Sequence, residues 1–124
     1  MRKFLVIILL CSSCKSYALT WVGIDDTEVQ ITNYLDIDSV KKGGEFVFYT
    51  RLENVATMGL NSIVIRNKVD CKREKIIELN ISYYGQPMGQ GTLIEKKKNA
   101  TKEILPKPNT SRYNAMKLAC SLAK

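Results

Sequence analysis

The 124-residue chain contains no histidine. It therefore lacks the side chain that most often moves protons near neutral pH, and the one most often found ligating zinc. No apolar run approaches the roughly 20 residues that a membrane-spanning helix needs. No glycine-rich segment has the lysine and following helix of a phosphate cradle; "GQPMGQG", Gly85–Gly91, has glycines without either. These absences argue against an enzyme and against a metal or cofactor site, and none is expected. Asp25 and Asp26 are adjacent carboxylates in a turn-forming stretch, which reads as a solvated turn and not as an acid pair.

What is present begins with a leader. Arg2 and Lys3 precede the apolar run Phe4 to Leu10, and Ser16 and Ala18 supply small residues at −3 and −1 for cleavage between Ala18 and Leu19. That is the layout of a secretory signal peptide over residues 1–18, followed by one domain over 19–124. Lipid attachment at Cys11 or Cys14 fits poorly, because Leu10 precedes Cys11 and Cys11 itself stands three residues before Cys14.

Two of the four cysteines leave with the leader, and Cys71 and Cys120 remain. An exported chain with two cysteines most simply joins them in one disulfide. Cleavage also takes three of the 19 basic residues, leaving 16 against 12 acidic ones. The resulting net charge near +4 gives no sign of a nucleic-acid binder. Its densest basic cluster is Lys96, Lys97 and Lys98 in "EKKKN", read as a loop patch.

Along the mature chain the dominant period is two. "NSIVIRNKVDC" sets Ile63, Ile65, Val69 and Cys71 on one side against Val64, Arg66, Lys68 and Asp70. "EKIIELNISYY" repeats the pattern after Lys72 and Arg73, as the second arm of a hairpin. "GEFVFYTRLEN" alternates Phe46, Phe48 and Leu52 with Val47, Tyr49 and Arg51. "EVQITNYLD" groups Val29, Ile31 and Leu35. Trp21–Ile24 and Thr92–Glu95 bring the count to about six strands, and "DIDSVKKGG" reads as a helical turn ending in a Gly–Gly hairpin tip. Only the end changes period: Tyr113, Met116, Ala119, Cys120 and Ala123 recur at helical spacing behind a cap at Asn109. The expected fold is α+β, a single antiparallel sheet with a C-terminal helix packed on it and tethered by Cys71–Cys120.

Several blocks, in order, carry a resemblance: Trp21, "YLDIDSVKKGG", "NSIVIRNKVDCKREKI", "SYYGQPMGQG" and "PNTSRYNAMKLAC". Together they make the mature chain similar to the surface-adhesin protein E family of small secreted bacterial proteins. The resemblance implies the same sheet-and-helix fold, with the Gly-Gln-Pro-Met-Gly turn following the second arm of the disulfide-bearing hairpin. It also implies attachment to host matrix or serum proteins such as vitronectin and laminin.

Two function classes follow. One is a non-catalytic, adhesin-like module that uses Lys96, Lys97 and Lys98 with neighbouring aromatics to hold an acidic host protein or a sulfated glycan. The other is a periplasmic accessory or inhibitory domain with a bacterial partner. Free sheet edges leave edge-to-edge homodimers open to either.

Overall fold

The structure, a computed structural model, describes residues 20–24, 32–57, 59–98 and 102–123. Its core element is one antiparallel sheet. The strands are β1 (Trp21–Gly23), β2 (Asn33–Gly43), β3 (Phe46–Thr57), β4 (Leu60–Asp70), β5 (Lys75–Gln86), β6 (Gln90–Lys98) and β7 (Glu103–Ile104). They lie in the order β1-β2-β3-β4-β5-β6, and the two-residue β7 pairs with the other end of β5. One helix, α1 (Ser111–Leu122), follows.

Because cross-strand partners share a face, the register assigns the side chains. Val47, Val69, Ile76 and Ile104 form one such row, and Leu35, Arg51, Ile65 and Ile81 another. This is the face that α1 covers: Leu35, Val47, Tyr49, Val69 and Ile76 pack with Ala115, Met116 and Ala119 in the main core. The helical stripe read from the sequence is the buried one, although its cap is displaced by a residue. Asn109 takes a left-handed φ of 69°, and Thr110 caps instead, its Oγ1 accepting from the Tyr113 N–H at 3.2 Å.

The expected disulfide is present. Cys71, just past β4, joins Cys120 on α1 with 6.0 Å between their Cα atoms and a sequence separation of 49. It anchors the last turns of the helix to the turn between β4 and β5.

Two local expectations are corrected. The "DIDSVKKGG" stretch is not a helical turn but the continuation of β2. Pairing passes from Asp36↔Thr50 directly to Lys41↔Phe48, so four residues bulge out opposite one. Ser39 holds the bulge closed, its Oγ donating to Asp36 O at 2.7 Å and accepting from the Thr50 N–H at 2.8 Å. The bulge turns both Ile37 and Val40 toward the core, which is why residues three apart mimic a helical period. The second correction concerns Lys96–Lys98, which lie in strand β6 and not in a loop. Of the second predicted strand, Val29 and Ile31 fall outside the described residues, as do Asp25, Asp26 and the leader.

Candidate functional site

The sheet face opposite α1 carries a second, smaller buried set. Leu52 and Val64 are register partners there, and the chain after β5 folds back over them. A 3-10 turn at Pro87–Gly89 brings Gly89 so close that a Cβ at that position would stand 3.2 Å from Val64 Cγ2 and 3.5 Å from Leu52 Cδ1. Gly89 also has a φ of 69°, so two independent constraints call for glycine. Two side chains clasp the turn. Ser62, fully buried, donates to Gln86 O at 2.6 Å and accepts from the Gly89 N–H at 2.9 Å. Asn54 accepts from the Met88 N–H at 2.9 Å. The glycine-rich segment therefore serves as a lid for a patch of sheet.

Around that lid the face is cationic. Register rows place Arg66, Asn80 and Lys98 together, then Val64, Ser82 and Lys96, then Lys41, Phe48, Lys68 and Ile77. Lys96 and Lys98 are about 7 Å apart along β6, and Arg66 sits two strands, roughly 10 Å, from Lys98. None of Lys41, Arg66, Lys68, Lys96 and Lys98 forms an ion pair among the described residues, whose four salt bridges lie elsewhere. Lys68 instead sets its Nζ 4.2 Å from the centre of the Phe46 ring. Asp70 and Glu103 share the face at its far end, and Asp36 is buried against β3.

The three-lysine cluster does not act as one patch. Strand alternation sends Lys96 and Lys98 to the open face and Lys97 to the other, where its Nζ lies 5.6 Å from the Tyr83 ring centre. Sequence reading found the lysines but missed Arg66 and Lys68. Both already stood on the polar side of the β4 alternation, and what brings them beside Lys96 and Lys98 is cross-strand register. No group of three or more potential metal ligands occurs among the described residues. No helix among them is long and apolar enough to cross a membrane.

One sheet, closed on one face by a disulfide-held helix and open and cationic on the other, defines a compact α+β scaffold built to present a surface. The chain belongs to the surface-adhesin protein E family, whose model matches residues 21–121, and membership makes it an adhesin-like surface protein. Its fold is that of the solved Haemophilus influenzae protein E. The selenomethionine form superposes with a TM-score of 0.69 at 17% identity, covering 86% of this chain and 89% of that one. Crystal form II gives a TM-score of 0.68 at 16% identity, covering 86% and 91%. The protein E structure from a non-typeable strain gives 0.66 at 16% identity, covering 86% and 79%. A sequence comparison with curated proteins returned no match.

Proposed function

We propose that this chain is exported by a cleaved leader, residues 1–18, and that residues 19–124 form a non-catalytic binding domain. It attaches to acidic surfaces of host matrix or serum proteins, or to sulfated glycans, through the sheet face opposite α1. The observation carrying this reading is the array of Arg66, Lys68, Lys96 and Lys98 on one open face with no ion-pair partner among the described residues. Unpaired cations held on a rigid sheet gain most from an acidic partner, because they lose no internal pair on binding. Family membership supports host attachment, and vitronectin, laminin and heparin are the partners to try first.

Kinetics on immobilised vitronectin, laminin and heparin test the reading. Association that slows as salt rises supports it. Failure to bind any of the three would shift preference to the periplasmic accessory domain. Protease shaving of intact cells separates the locations, since a surface domain is removed and a periplasmic one is spared.

A further inference from the structure

We propose that a cavity at the N-terminal end of α1 binds a carboxylate group carried on an apolar body, as in a small branched organic acid or the C-terminal residue of a peptide. The cavity holds about 410 Å³ and lies on the helix-covered side of the sheet, away from the cationic face. Arg51 forms its floor. This arginine occupies an apolar row of β3 between Leu35 and Ile65, and its side chain is only 2% exposed.

Burying a guanidinium is costly unless its donors are used. Here they are incompletely used. Nη1 donates to Asn33 Oδ1 at 3.0 Å and lies 3.6 Å from Glu53 Oε1, while the buried Nε has no hydrogen-bond partner. Burial accordingly pulls the Arg51 pKa down, with Glu53 opposing and Arg112 adding to the shift.

The first turn of α1 opens on the same cavity with no acidic residue in it. Thr110 Oγ1 is already committed to the Tyr113 N–H and Thr110 O to the Asn114 N–H. The positive end of the helix, with no carboxylate in its first turn, borders the cavity through Thr110, Ser111 and Arg112 and favours an anion there. Lys107 and Arg112 also line the space, and Glu53 is the one carboxylate lining it among the described residues. Arg112 is held only loosely by Glu78, at 3.9 Å. A guanidinium with a spare donor beside a helix N-terminus suits a planar carboxylate. Ile104, Leu105 and Pro106 supply an apolar wall for the rest of the ligand.

This inference is independent of host binding, since the two sites use opposite faces. The test is NMR titration of the folded chain, following the Arg51 Nε–H and Arg112 backbone amide signals. The probes are N-acetyl-leucine and a Gly-Gly-Gly-Leu peptide, each compared with its C-terminal amide. A saturable shift of both signals with either carboxylate form, absent with its amide, supports the site and tells which source it accepts. The half-exposed variant Arg112→Gln should weaken that binding about tenfold while keeping a native spectrum. Shifts that the amides reproduce, or that grow linearly like those from sodium chloride, overturn the proposal.

Discussion

Asn54 grips Met88 with both ends of its carboxamide: Oδ1 accepts from the Met88 N–H at 2.9 Å, and Nδ2 lies 3.3 Å from the Met88 sulfur. Met88 needs such a grip, because it sits at φ 61°, ψ 33°, a left-handed conformation that costs a non-glycine residue energy. Asn54→Ala should lower unfolding free energy by about 1–3 kcal/mol and speed hydrogen exchange at the Met88 and Gly89 amides. Urea unfolding and exchange rates check this, and an unchanged pair would show that the turn holds itself. Gly89→Ala should cost more than about 1 kcal/mol, combining an unfavourable φ with the approach to Val64.

The Cys71–Cys120 bond bridges a sequence separation of 49 and joins the turn after β4 to α1. Cys120→Ala should therefore lower stability by roughly 2–5 kcal/mol. Thiol titration of the denatured, unreduced mature protein should find no free cysteine. Two titratable thiols would contradict the bond.

Tyr49 ties stability to alkaline pH. Burial pushes its phenol from 10.0 up to about 12, with Arg51 and Arg112 pulling the other way. Below pH 10 the phenol is protonated in both states, so stability there is unaffected by its ionisation. Between pH 10 and about 12 the unfolded chain loses the proton while the folded one keeps it, and stability falls by about 2–3 kcal/mol. The Tyr49 hydroxyl has no hydrogen-bond partner although Asn67 faces it across the strands. Tyr49→Phe should therefore change little at pH 7 and remove this part of the alkaline loss. Parallel denaturant curves at pH 8 and pH 11 measure the difference.

Much of the fold is legible in the sequence because local periods survive intact. Alternation in β3 and β4 follows from one face being packed, and the stripe at Tyr113, Met116 and Ala119 follows from the helix lying on that face. In β5 an extra residue at Leu79 breaks the period, so Ile81 faces the helix with Ile76 while Ile77 faces the open side. The bulge at Asp36–Lys41 is not legible, since it depends on Ser39 bonding across to Thr50. Arg51 is instructive in another way. Alternation already grouped it with Val47 and Tyr49, but only the docking of α1 turns that grouping into a buried charge beside a helix terminus. The cationic face is half legible: composition marks Lys96–Lys98, while register alone adds Arg66 and subtracts Lys97.

That split of the lysines gives the sharpest test of the host-binding face. Lys96 and Lys98 point to the open side with Arg66, and Lys97 points to the other, over Tyr83. Lysines on an exposed edge strand also discourage pairing with other chains, so removing charge outright would confuse binding with aggregation. Substitution by glutamate keeps the edge charged while reversing its sign. Lys96→Glu combined with Lys98→Glu should slow association with an acidic partner roughly tenfold at low salt and flatten its salt dependence. Lys97→Glu gives up only the ring contact, worth about 0.5–1 kcal/mol of stability, and should leave association nearly unchanged. Surface kinetics for the three forms, at low and high salt on the same immobilised ligand, make the comparison. Equal slowing by Lys97→Glu would mean that bulk charge, and not this face, governs binding.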